Sequence, residues 1–163
     1  MSKNKRIAYR GVFIALGLVL SYIETFVPLT AIAPGIKIGL ANIVTVYALY
    51  KMGTKDAIFI SLGRIILSAV LFGGFVMAIY SLAGAFFSMT VMLILKKIPF
   101  FSILGVSIAA GVMHNFGQVF VAAFVLRNKS VMYYLGILIV SGCIAGTVVG
   151  IISARMINRL ELE

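Results

Sequence analysis

Five consecutive residues, His114-Asn115-Phe116-Gly117-Gln118, place an imidazole and two amides inside an otherwise apolar run. On a helix turning about 100° per residue, His114 and Gln118 share a face and Asn115 is adjacent to it. The set offers both donors and acceptors, the chemistry needed to hold the polar head group of a ligand. Arg64 falls eight residues into another apolar run, and its guanidinium does not readily give up its charge. Glu24 lies near the end of the first such run, and Lys37 and Asn42 follow a turn at Pro34-Gly35. A turn feeding a helix N-terminus leaves free N–H groups that favour an anion. Glu24, Lys37, Asn42, Arg64, His114, Asn115 and Gln118 are therefore the candidate substrate-binding residues.

Each has a structural reading beside the binding one. Asn, Gln and His also hydrogen-bond between membrane helices. Arg64 lies roughly 12 Å along its helix axis, where it could pair with Glu24, bind a ligand or snorkel towards the interface. A Pro-Gly turn is also an ordinary helix start. What favours binding is cost: an ionisable group within hydrocarbon must face a protein interior or a wet cavity. Asp56, at the start of the run that holds Arg64, reads as a helix-start residue complementing the helix dipole.

The elements that must position these residues follow from composition. Of 163 residues, 63% are hydrophobic and 11% charged, which describes an integral membrane protein rather than a water-soluble domain. Six segments approach the roughly 20 apolar residues a spanning helix needs: 7–27, 36–52, 56–72, 75–95, 102–126 and 131–157. None alternates apolar and polar residues as a membrane barrel strand does. The expectation is an all-α bundle of six transmembrane helices, a single integral domain over residues 1–163, multi-pass in the cell membrane. The first apolar run reads as a membrane helix and not a cleaved leader, being too long and lacking a small-residue cleavage site.

Fourteen basic residues against four acidic ones give a net charge of +10. Lys3, Lys5, Arg6, Arg10, Lys51, Lys55, Lys96, Lys97, Arg155 and Arg159 fall on one side of the predicted topology, and only Lys37, Arg127 and Lys129 on the other. Short cytoplasmic segments retain Lys and Arg, so both termini are expected in the cytoplasm. The charge suits a lipid face, not nucleic acid. A cluster of metal-binding spacing, a phosphate loop and an Asp-rich magnesium motif are all missing, and no cofactor or enzymatic activity is expected. Small residues recur at four-residue spacing in Gly142, Gly146, Gly150 and Ala154, a close-packing pattern. Gly11 and Ala15 form a shorter interval on the first helix.

Leu20-Ser21-Tyr22-Ile23-Glu24, Pro34-Gly35-Ile36-Lys37-Ile38-Gly39-Leu40-Ala41-Asn42, Ser81-Leu82-Ala83-Gly84 and the His114–Gln118 segment, read together, resemble the family called heptaprenyl diphosphate synthase component I, also labelled the Gx transporter family. That family is similar in size and helix count to the substrate-binding S components of energy-coupling factor transporters. The resemblance implies capture of a small molecule from outside and docking, through Gly11 and Ala15, onto a membrane coupling subunit driven by ATPases. The alternative it implies is a non-catalytic membrane partner of a soluble prenyl diphosphate synthase subunit. Synthases of that kind carry two Asp-rich motifs, whereas Asp56 is the single Asp here.

Overall fold

The computed structural model describes residues 2–26 and 38–160. Lys37 and the loop Pro28 to Gly35 lie outside the described residues. Among the described residues six α-helices follow in order: α1 (Lys3–Thr25), α2 (Ala41–Lys51), α3 (Thr54–Ser68), α4 (Gly74–Leu95), α5 (Ile103–Val125) and α6 (Leu135–Arg159). A π turn, Ala69–Gly73, carries α3 into α4, and a 3-10 turn, Lys129–Tyr134, precedes α6. Among the described residues there is no strand. Ser2 and Ser102 cap α1 and α5, their hydroxyls accepting from the Lys5 and Gly105 amides.

The second helix begins later than the apolar run suggests, at Ala41 rather than Ile36. Gly39 has φ 76°, a left-handed conformation that no α-helix can contain, so the helix starts beyond it. Gly53, at φ 102°, similarly makes the turn between α2 and α3.

Among the described residues four stretches are long and apolar enough to cross a membrane: Lys3–Thr25, Gly74–Leu95, Ile103–Val125 and Ser130–Arg159. With 11 and 15 residues, α2 and α3 reach only about 16 and 22 Å, against a hydrocarbon core of about 30 Å. Eight of the 11 residues of α2 are buried, including Val44, Val46, Tyr47 and Leu49. This short helix is enclosed by the other helices, so lipid does not set its length. Its apolar surface is hydrophobic all round because protein surrounds it.

Each of α4, α5 and α6 packs against its neighbour in sequence, while α2 meets both α3 and α6. The α5–α6 seam is made by glycines: a Cβ on Gly146 would lie 2.6 Å from Ile108 Cα and from the Ser107 carbonyl oxygen, and one on Gly142 2.9 Å from Val112 Cα. At the α4–α5 seam, a Cβ on Gly117 would come 2.7 Å from the Ala83 carbonyl oxygen. In lipid, where apolar burial does not drive helices together, such approach supplies the packing contact.

One end of the bundle is held by charge. Asp56 is completely buried and accepts from both Arg6 and Arg10 of α1, with Arg6 Nε 2.8 Å and Arg10 Nε 2.6 Å from its oxygens. Arg10 also lies over the Phe59 ring, 4.7 Å from its centroid. Asp56 is in the first turn of α3, as a helix-start residue should be, but its larger role is to tie α1 to α3. Nearby, Lys96 Nζ donates to the Leu49 carbonyl at 2.6 Å, and its partial burial lowers the ammonium pKa below the ordinary value. We call this the basic end.

Candidate functional site

The helices line a cavity of about 340 Å3 that reaches from the end opposite the basic one down to Met92 and Ser107. Its wall includes Glu24, Asn42, Arg64, His114, Asn115 and Gln118, six of the seven residues singled out from the sequence. They come from four helices, α1, α2, α3 and α5, so only tertiary packing brings them together.

Arg64 is the cation among the described cavity residues. Its stem lies against Gly17 of α1, where a Cβ would sit 2.7 Å from Arg64 Cδ. One terminal nitrogen donates to Asn42 Oδ1 at 3.2 Å and the other to Ser21 Oγ at 3.5 Å. Nε is enclosed and has no partner among the described residues. Glu24 is within electrostatic reach of the guanidinium, yet the described ion pairs are those of Asp56 with Arg6 and Arg10. Glu24 Oε1 instead accepts the Gly39 amide at 2.5 Å, joining the end of α1 to the entry of α2. Of the readings for Arg64, a direct ion pair with Glu24 is therefore not formed among the described residues; neutral oxygens hold it.

The fifth-helix residues divide in role. The His114 ring fits against α4 because residue 84 is glycine: a Cβ there would be 2.7 Å from His114 Cε1. Asn115 is buried, and its amide donates to the Leu138 carbonyl at 2.7 Å and the Ser141 hydroxyl at 3.4 Å. Those bonds tie α5 to α6, the interhelical use of an amide that lipid favours. Gln118 lies one turn beyond His114 on the cavity wall. Ser21 and Gly84 stand in segments that carry the family resemblance but were not among the candidate site residues, and Gly17 was not singled out at all. A glycine within an apolar helix was the available signal for the last two, but it does not say which side chain needs the space.

Gly11 and Ala15 are far from this cavity in character. Both are exposed, and a Cβ on Gly11 would meet nothing within 4 Å. Val12, Leu16 and Val19 are exposed beside them, making an apolar strip along α1 that the rest of the bundle leaves uncovered.

Chemically, the cavity offers one guanidinium, a carboxylate already engaged by a backbone amide, an imidazole, amides and hydroxyls. Such a set can bind and orient a polar group. Neither a curated protein nor a solved structure matches the chain. The family model described as heptaprenyl diphosphate synthase component I matches residues 13–156, a range that holds every described cavity residue and Ala15 but not Gly11. With nearly the whole membrane bundle inside that match, the chain belongs to the heptaprenyl diphosphate synthase component I family.

Proposed function

We propose that this protein is the substrate-capturing subunit, of the S-component kind, of an energy-coupling factor type uptake transporter in the cell membrane. The observation that carries the reading is the cavity: Arg64, Asn42, His114 and Gln118 converge on one space from three helices. A volume of about 340 Å3 falls in the range of small-molecule sites. The ligand is bound without chemistry, and Glu24, Lys37, Asn42, Arg64, His114, Asn115 and Gln118 form its polar surroundings. Release requires an ATPase-driven coupling subunit, which docks on the uncovered strip of α1 at Gly11 and Ala15.

The test is co-purification from native membranes. Wild type is expected to bring down a coupling protein with ATPases, and Gly11→Leu to remain folded while losing them. Leu at position 11 has free space around it, so lost recruitment could not be ascribed to a disturbed bundle. Full recruitment by Gly11→Leu would remove the docking assignment, and a wild type that never recruits an ATPase would remove the transport reading.

Six crossings with both termini cytoplasmic make the cavity open outward. Single cysteines replacing Lys97 and Lys129, in a background lacking Cys143, report this. Position 129 should react with an external impermeant reagent and position 97 should not; the reverse would invert the topology and turn the cavity inward.

The family description favours a second reading, a non-catalytic membrane subunit that anchors a soluble prenyl diphosphate synthase subunit. Recovery of an Asp-rich soluble synthase in place of ATPases would select it.

A further inference from the structure

We propose that the cavity takes a single-chain amphiphile, its one oxyanion on Arg64 and its apolar chain running inward between α4, α5 and α6 towards the basic end. This rests on the substrate-binding reading above and adds the class of ligand.

The first observation is shape. Lining residues on α4 run from Met77 to Met92, fifteen helical steps or about 22 Å. A cavity with that reach along one helix is elongated, the shape an extended chain fills.

The second is polarity, which is concentrated towards one end. Glu24, Asn42, Arg64, His114 and Gln118 all stand in the part remote from the basic end. Deeper in, the wall is Val46, Met92, Ala110, Ala145 and Val149. Two hydroxyls interrupt it. Ser88 Oγ is turned back on the Ala85 carbonyl at 3.5 Å, and Ser107 Oγ is itself buried, with no partner among the described residues.

The third is charge. Among the described residues the Arg64 guanidinium hydrogen-bonds only neutral oxygens, those of Ser21 and Asn42, and its Nε is enclosed without a partner. Glu24 spends Oε1 on the Gly39 amide. An oxyanion, carboxylate or phosphate, would complete the guanidinium with charge-assisted hydrogen bonds. A purely apolar ligand would leave the guanidinium with Glu24, already engaged by the Gly39 amide, as its nearby described counter-charge, and a compact polar one would leave the inner wall bare.

Butyl, hexyl, octyl and decyl phosphate, with inorganic phosphate and decanol as controls, provide the probes. Binding to the purified full chain in a neutral detergent is read as one-to-one adducts by native mass spectrometry, against free aqueous concentration. Affinity should rise about threefold to fourfold per methylene until the cavity is filled. Decanol, and decyl phosphate on Arg64→Gln, should bind at least about tenfold more weakly than decyl phosphate on wild type. Ala145→Leu and Ser88→Leu narrow the inner part and should shorten the longest chain accepted while sparing butyl phosphate.

Inorganic or butyl phosphate binding as tightly as decyl phosphate would overturn the proposal, leaving a small-anion pocket. So would decanol matching decyl phosphate, or adducts that never saturate and are alike in wild type and Arg64→Gln. If the narrowed variants fold and still bind decyl phosphate as wild type does, the chain does not lie where proposed. Should those variants or Arg64→Gln fail to fold, the wild-type chain-length series and the decanol comparison decide. ATPase recruitment without alkyl phosphate binding would sink the ligand class alone; alkyl phosphate binding without ATPase recruitment would sink the transport reading alone.

Discussion

Gly146→Leu is expected to leave no folded protein. The substituent would have to enter space held by the α5 backbone, since even a Cβ at 146 would lie 2.6 Å from Ile108 Cα and the Ser107 carbonyl oxygen. Backbone atoms cannot turn aside as a side-chain end can, so α5 and α6 must separate. Separation also loosens Gly142 on Val112 and Gly150 on Leu104, because the same pair of helices carries all three contacts. Overpacking of a soluble core typically costs about 1–3 kcal/mol and occasionally more. Here the upper end or beyond is expected, since lipid solvates the parted apolar faces and no hydrophobic force opposes their parting. Yield of monodisperse protein on size-exclusion chromatography and its thermal midpoint measure the effect. Gly11→Leu is the paired control, with no atom within 4 Å of its Cβ, and should unfold as wild type does. A monodisperse Gly146→Leu protein of wild-type midpoint would mean that the α5–α6 approach is not needed for folding.

The second large effect is expected at the basic end, and it is asymmetric. Asp56 is fully enclosed, whereas the side chains of Arg6 and Arg10 are 45% and 26% exposed. Replacing both arginines by Ala strands a carboxylate in the interior, where removal of a charge partner costs on the order of 3–5 kcal/mol unless the carboxyl escapes by taking a proton. Replacing Asp56 by Ala instead frees two arginines whose long side chains can turn outward to water and headgroups. The double variant Arg6→Ala/Arg10→Ala should therefore be the less stable of the two, although it removes the more exposed groups. Thermal unfolding in detergent would compare them, and limited proteolysis near the start of α1 would show whether that helix has come away. Equal stability, or a less stable Asp56→Ala, would mean that the arginines and not the carboxylate bear the cost of separation.

Much of the architecture is local information. Apolar runs such as Phe75 to Leu95 and Ser102 to Leu126 are helices wherever they sit in lipid, because only a helix satisfies their backbone within the segment. The observed α4, Gly74–Leu95, and α5, Ile103–Val125, accordingly begin and end within a residue of those runs. Polar residues stranded in such runs are also visible without coordinates, since hydrocarbon makes each one costly. That is why Glu24, Asn42, Arg64, His114, Asn115 and Gln118 could be selected before their meeting in one cavity was known.

What the sequence alone determined is therefore the helical, membrane-embedded class and the short set of residues able to do chemistry. Partnership came only with tertiary structure. Asp56 looks like a helix-start residue until two arginines, 46 and 50 positions earlier, close on it. Asn115 resembles its neighbours in type, but its amide is committed to α6. Gly17 and Gly84 are two glycines among 16, and only packing shows that one makes room for Arg64 and the other for His114. The late start and enclosure of α2 belong to the same class. Composition and period act within a segment, whereas burial, ion pairing and close approach are properties of two segments at once, and nothing in either one states its distance from the other.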